Sequence, residues 1–433
     1  MSKRPIVARR AIAVFVGLSL TAAACGGGDD SGDGDSAATT AAAPEETAAP
    51  EETAAPEETA APEETAAPST EAPTDTETTV ASGDTEGAAL AAARVEAFRQ
   101  PISELPLTEP TAIEAGTKVF YVQCSVAACA EIAIGLEAAA AAAGWEYETA
   151  SHQDTPETVA SAFDAAIAAE PDVVMTSGNP REWFAPQLAT LQEQGIPVVA
   201  WSLPEPYEPG DGIDVNLLTN DDYYFYGVLM ADYAAATSKT GNIQFIGLPT
   251  FPVLSTVQEG FEDEIAVACP DCTVEVVEVA VTDLGTNLPG TVVSALQSNP
   301  DLDMIVYAFG GMLFGVPEAI ESAGLGDQAV GVSQAGGTLN FGYIAAGQHQ
   351  VAEIGLASEL LGWRAIDAAA RILAGEGPGR AEAPELAVVE GHPDIVAAGL
   401  PLQILEADAI EDPTALWPGV PDFEAQFSTM WGL

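Results

Sequence analysis

From Lys118 to Ser333 the chain alternates short apolar runs with longer stretches at helical spacing, a rhythm that leaves few folds open. KVFYVQ (118–123) reads as a buried strand, AEIAIGLEAAAAAA as a helix stopped by Gly144, and WEYETAS as a strand. Asp154-Thr155-Pro156 opens a helix running to Glu170, with proline favoured in a first turn. DVVMTSG is a strand, REWFAPQLATLQEQ a helix ending at Gly195, and IPVVAWS a strand. After Asn220 the rhythm resumes: helix DYYFYGVLMADYAAATS, strand NIQFIGL, helix TVQEGFEDEIAVA, strand TVEVVEVAV and helix PGTVVSALQSN. Strand DMIVYAF, helix VPEAIESAG and strand AVGVS complete this second series. Short strands alternating with amphipathic helices predict parallel sheets covered on both faces, so the fold class is α/β with two doubly wound lobes. Ligands of such sheets sit beyond the carboxyl ends of the strands. The site is therefore expected in the loops after Gln123, Trp201, Leu248, Phe309 and Ser333.

The first 86 residues follow other rules. Lys3, Arg4, Arg9 and Arg10 precede the apolar run Ala11–Ala24, and small residues lead to Cys25. This is the pattern of an export signal, and the run is shorter than the ~20 residues a bilayer span needs. TAAAC followed by GGG resembles a bacterial lipoprotein signal, which implies lipidation of Cys25 after cleavage; Ala22 departs from the usual leucine three places before it. Residues 26–86 hold PEETAA four times from Pro44, then a Thr/Glu-rich tract. With almost no large apolar residue, this segment is expected to be a disordered acidic linker. Sixty such residues span roughly 50 Å coiled or about 190 Å extended, which suits a spacer between a membrane and a domain. AALAAARVEAFRQ then reads as a short helix before an extended lead-in to residue 116. The formal charge is -54, from 12 Lys plus Arg against 66 Asp plus Glu. Phosphate backbones would repel such a chain, which argues against nucleic acid as a partner.

Cys124/Cys129 and Cys269/Cys272 form two close pairs. In an exported protein two local disulfides are the leading reading. A zinc site would need both pairs within ~5 Å, yet they fall in different lobes. A redox C-x-x-C belongs at a helix start, whereas Pro270 places this one at a helix end. His152, His349 and His392 lack ligand spacing and read as surface or loop residues. The chain has no G-x-S-x-G, no phosphate-binding GxxxxGK[ST] and no H-E-x-x-H, and Gly310-Gly311 and Gly336-Gly337 read as loop glycines. No catalytic constellation, metal site or cofactor is expected.

Taken in order, GIPVVAWS (195–202), QEGFEDEI (258–265), LQSNPDLDMIVYAFGG (296–311), EAIESAGL with VGVSQA, and GYIAAGQHQVAEIGLASELLGWRAID (342–367) resemble the type I periplasmic binding proteins. These are the sugar-type substrate-binding components of ABC importers. The resemblance covers about residues 117 to 433 and implies two lobes joined by a three-strand hinge. Lobe 1 would comprise 117–220 plus about 354–388, and lobe 2 residues 221–353 plus about 389–433. Crossings are expected near 218–222, near 335–338 and beyond Leu386. The family's usual sugar contacts are largely replaced here: Ser202 behind Trp201 stands for an aspartate, Val257 for an arginine, Gly310-Gly311 for Asn-Asp, Ser333-Gln334 for an aspartate and Glu353 for a glutamine. The ligand-binding candidates are Ser125, Trp201, Ser202, Phe251, Phe309, Gln334 and Glu353. Aromatic faces with few charged groups suit a small, moderately polar or cyclic ligand better than a typical hexose.

The leading function is a solute receptor that closes over its ligand and presents it to a membrane permease. A sensor lobe coupled to a signalling protein would use the same closure. An exported hydrolase would need catalytic groups that the sequence does not display, and a purely structural surface protein would rest on the tail alone. A monomer follows from the resemblance.

Overall fold

The computed structural model describes residues 86–107, 109–205 and 210–433, all within the unit Thr74–Leu433. The signal, Cys25 and nearly all of the repeat linker lie outside the described residues.

The first sheet contains β1 (Lys118–Gln123), β2 (Glu146–Ser151), β3 (Val173–Ser177), β4 (Val198–Trp201) and β5 (Val215–Asn216). Its order is β2-β1-β3-β4-β5, every pair parallel. Between the strands run α2 (Ala127–Ala143), α3 (Pro156–Ala169) and α4 (Ala185–Gln194). Side chains alternate across the sheet because successive Cβ atoms point to opposite faces. Val119, Tyr121, Met175, Val199 and Trp201 join one core, while Phe120, Val122, Val174 and Ala200 join the other with Phe163 and Phe184. Thr155 caps α3 by accepting from the Thr158 amide, and Gly144 and Gly195 end α2 and α4 in left-handed conformations. The stretch expected as one helix from Arg181 divides into a 3-10 turn, Arg181–Trp183, and α4, because Pro186 is suited only to a first helical turn.

The second sheet has the order β11-β10-β9-β8-β6-β7, made of β6 (Asn242–Gly247), β7 (Thr273–Glu278), β8 (Met304–Tyr307), β9 (Val330–Gln334), β10 (Gln350–Ile354) and β11 (Ile404–Leu405). Only β11 is antiparallel. Its helices are α5 (Asn220–Thr237), α6 (Pro252–Ala268), α7 (Leu288–Ser298), α8 (Val316–Ser322) and α9 (Thr338–Ala346). Nearly every residue of α5 from Asp222 to Ala235 is buried. Gly227 and Gly260 let α5 and α6 meet backbone to backbone: a Cβ on either would stand 2.0 Å from a carbonyl oxygen of the other helix, Val257 or Tyr224.

The first crossing leads from β5 into α5, as expected. The chain then stays in the second sheet past residues 335–338, because α9 and β10 extend that sheet. The second crossing falls at 355–357, next to the lobe boundary set after residue 353 and not near 335–338; there α10 (Ser358–Ala374) returns to pack on α2 through Gly135 and Gly362. The irregular segment 376–403 leads to β11. The tail then leaves the second sheet: α11 (Phe423–Trp431) packs on α10, with Trp431 stacked on Trp363 at 5.2 Å. The helix ahead of both sheets, α1 (Glu86–Phe98), docks on α5 and α6, where Arg94 lies 3.6 Å from Asp232 and 2.9 Å from Glu264. The two cysteine pairs are disulfides, Cys124–Cys129 at the β1–α2 turn and Cys269–Cys272 at the α6–β7 turn.

Candidate functional site

The carboxyl ends of the first sheet carry a polar rim. Beyond β1, Ser125 donates to Asp154 from its amide (3.0 Å) and its hydroxyl. Asp154 follows β2 and is held with φ +51, a region rarely used by residues with a side chain. Its amide donates to His152 Nδ1 (3.2 Å), and Asn179, beyond β3, stands 3.3 Å from His152 Nε2. His152 and His349 are buried, correcting the expectation of surface positions; both do occupy loops. Burial lowers the His152 pKa against the pull of Asp154, which favours the neutral ring. Cys129 Sγ lies 3.5 Å from Ser177 Oγ, so the disulfide closes this rim from beneath.

At the end of β4, Trp201 is buried with its ring 5.3 Å from that of Tyr121, forming the floor rather than an open face. Ser202 is half-buried with φ +58 and accepts a 2.8 Å hydrogen bond from Tyr223, in the first turn of α5. That bond ties a first-sheet loop to the second lobe. A second contact lies across the later crossing, where a Cβ on Gly337 would stand 2.7 Å from Glu131 Oε1 of α2. Ser358 donates to Glu131 Oε2 (3.3 Å), and burial raises the Glu131 pKa.

The second sheet presents half-buried Phe251 at the start of α6 and half-buried Phe309 beyond β8. Gln334 is fully buried at the end of β9; its Nε2 donates to the Ala308 carbonyl (2.8 Å), leaving Oε1 without a partner. Ala335 follows with φ +52. Residues in the left-handed region thus stand behind β2, β4 and β9, all at carboxyl ends. Such conformations cost on the order of 1–3 kcal/mol and gather where a ligand clamp requires them. Glu353 is fully buried, and its carboxylate accepts from Ser333 Oγ, the Gly336 amide and Gln350 Nε2 (2.6 Å). Burial pushes its pKa up to about 7 against those three donors.

The predicted residues therefore divide. Ser125, Ser202, Phe251 and Phe309 lie at least partly exposed at strand ends, whereas Trp201, Gln334 and Glu353 lie beneath that surface. Sequence reasoning missed Asp154, His152 and Asn179, which follow β2 and β3. The strands ending at Ser151 and Ser177 carried the signal, but Asp154 was read only as a helix opening. Among the described residues, no group of three His, Cys, Asp or Glu side chains is placed to hold a metal ion, and no helix is long and apolar enough to cross a membrane.

Two parallel α/β lobes, crossed repeatedly by the chain and meeting at strand-end loops, define the class of two-lobed ligand clamps. The model of the periplasmic binding protein domain matches residues 128–377, more than half of the chain, and the protein belongs to that family. A solved 5-methylthioribose transporter solute-binding protein from Thermotoga lettingae, in complex with 5-methylthioribose, is 14% identical, with 74% of this chain and 99% of that one covered and a TM-score of 0.58. An ABC transporter solute-binding protein from Agrobacterium vitis, bound with α-D-tagatopyranose, is 18% identical over 70% and 98% of the chains, TM-score 0.56. One from Actinobacillus succinogenes with bound D-allose is 18% identical over 68% and 99%, TM-score 0.55. At these identities the likeness establishes the fold alone. No curated protein matches the sequence.

Proposed function

We propose that the protein is the extracytoplasmic solute-binding receptor of an ABC importer, closing its lobes over a small sugar-like or other small polar, cyclic ligand and handing it to a membrane permease. The observation that carries this reading is the meeting of loops from the carboxyl ends of one sheet with elements of the other lobe, Ser202 with Tyr223 and Glu131 with Gly337. A ligand touching both lobes stabilises their closed arrangement by its extra contacts there. Its contacts would come from Ser125, Asp154, Asn179 and Ser202 on one side and Phe251, Phe309 and Gln334 on the other, above Trp201. The free Gln334 Oε1 would accept from a ligand hydroxyl. Binding involves no covalent chemistry and no cofactor. The receptor works as a monomer at the outer face of the bacterial cell membrane, held there by lipid on Cys25, with residues 26–86 as its spacer.

The test is native mass spectrometry of the purified chain for co-purified small molecules, followed by thermal shift with D-tagatose, D-allose, 5-methylthioribose, polyols, nucleosides, amines and amino acids. A receptor raises its melting temperature by mass action and returns the ligand unchanged. Consumption of a ligand would replace this reading with an enzyme, and no shift across the panel would remove its support.

A further inference from the structure

Glu353 stands where the resemblance implies a neutral glutamine, yet its carboxylate does not reach open solvent: Ser333, Gly336 and Gln350 occupy its oxygens. The network runs on. Gln350 Nε2 also donates to Ser333 Oγ (3.0 Å), and Gln350 Oε1 accepts from Asn340 Nδ2 (3.0 Å). Asn340 Nδ2 in turn donates to the Gly310 carbonyl (3.0 Å), and Asn340 Oδ1 accepts from the Gly337 amide (3.2 Å). Gly310 and Gly336 also touch directly, since a Cβ on Gly310 would stand 2.5 Å from Gly336 Cα. The loops after β8 and β9 are therefore built as one body around a single acidic side chain.

We infer that Glu353 is a positioning residue of the cleft: its carboxyl fixes the β9 loop at Gly336 and, by way of Gln350 and Asn340, the β8 loop at Gly310. This rests on the receptor reading only for its purpose, which is to hold the second-lobe loops in one arrangement for ligand. An ordinary carboxyl titrates near 4.5, and this one near 7. A group whose folded pKa is raised supports structure most fully below its unfolded value and loses that support as pH rises through the folded value. Opening the loops hydrates the carboxyl, so opening becomes easier between about pH 4.5 and 7. Its direct partners Ser333, Gln350 and Gly336 are neutral, as are Gln334 and Asn340. His349, on the β9–β10 turn, is held at about 4 by burial. Glu318, against Tyr343 of α9, is exposed, and Glu406 after β11 is paired with Arg99. From α5, Asp222 is raised to about 7 but bonds to Thr219 and Val396, and Glu131 of α2 meets Gly337 from the other lobe.

Amide hydrogen exchange of the full chain, without ligand, at pH 5 and pH 7.5 and corrected for intrinsic rates, tests this. Peptides covering 309–313 and 333–340 are expected to lose at least tenfold protection at the higher pH, while β6 and β7 do not. Glu353→Gln should abolish that difference and keep the low-pH protection. Asp222→Asn and Glu131→Gln should leave the difference in place. Asn340→Ala, an independent variant on α9, should free 309–313 at both pH values while 333–336 stays protected. A pH effect spread evenly over the second sheet, or a Glu353→Gln protein that titrates like the parent, would overturn the assignment. So would Asn340→Ala leaving 309–313 unchanged. No ligand enters the measurement, so its failure leaves the receptor reading standing, and failure of the ligand panel leaves this one.

Discussion

The C-terminal tail is locked to the first lobe by one carboxylate, and removing it is the sharpest test of how the chain closes. Asp367 is fully buried on α10. Its Oδ1 accepts from Trp431 Nε1 (3.0 Å), and its Oδ2 from Arg371 Nε (2.9 Å) and Arg364 Nη1 (3.2 Å). Both arginines are buried and reach further: Arg364 donates to the carbonyls of Ala398 (2.8 Å) and Pro378 (2.6 Å), and Arg371 to that of Glu109. Burial lowers the Arg364 pKa only to about 10, so its guanidinium carries charge at pH 7. Asp367→Ala leaves two buried cations with carbonyl partners but no counter-ion. Breaking a buried pair in this way costs about 3–5 kcal/mol, and the orphaned indole adds on the order of 1 kcal/mol. With a urea slope of about 3 kcal/mol/M or more for a chain of this size, the midpoint should fall by about 1 M. Asp367→Asn keeps an acceptor for Trp431 and should lose less. Urea unfolding followed by tryptophan fluorescence, to which Trp363 and Trp431 contribute among six tryptophans, and by far-UV circular dichroism measures both variants. A midpoint for Asp367→Ala within about 0.2 M of the parent would refute the reasoning, because the cluster would then contribute nothing net.

Three other outcomes are expected. Replacing Cys124 and Cys129 by serine should cost about 2 kcal/mol in the same urea experiment, since the bridge closes a short loop, and should increase amide exchange around Ser125. Asp232 is buried beside Glu264, and burial raises its pKa to about 8; its contribution is thus present at low pH and lost as pH rises through 8. The stability gain of Asp232→Asn over the parent should therefore widen by roughly 3–4 kcal/mol between pH 5 and pH 8, read from thermal melts at each pH. Gly227→Val would drive side-chain atoms into the Val257 carbonyl, so the α5–α6 contact must part; a loss of at least about 3 kcal/mol in urea unfolding is the expected result, and a neutral variant would contradict that geometry.

Much of this fold was legible because the strands are strongly patterned and their helices end in recognisable signals. Lys118–Gln123, with buried residues throughout its centre, cannot be anything but a covered strand between a loop and a long alanine-rich helix. Thr155-Pro156 and Gly144 marked helix ends from local chemistry alone. What escaped was set by distant partners. β5 is two residues long, too short for any periodicity, and exists because Val215 and Asn216 pair with Val199 and Ala200. The placement of the tail depends on Trp431 finding Trp363 and Asp367, 60-odd residues earlier in the chain. The crossing expected near 335–338 did not agree with the lobe boundary set after residue 353, because α9 and β10 were not separately recognised.

The candidate site was less legible than the fold, for a reason the rim itself supplies. Alignment by motif assigns one residue to each strand end, but hydrogen bonding distributes the work over pairs. Ser125 is placed by Asp154, Ser202 by Tyr223, and the loop glycines by Glu353, directly at Gly336 and three bonds away at Gly310. Glu353 thus adds no charge to the cleft, because its carboxyl is consumed by the scaffold. On the proposed reading, recognition falls to neutral donors and acceptors at Ser125, Asn179, Ser202 and Gln334, with Asp154 the one rim carboxylate already engaged by two donors. Neutral hydrogen bonds are roughly half as strong as charge-assisted ones, so such a cleft would select its ligand more by shape against Phe251 and Phe309 than by clamping hydroxyls in pairs.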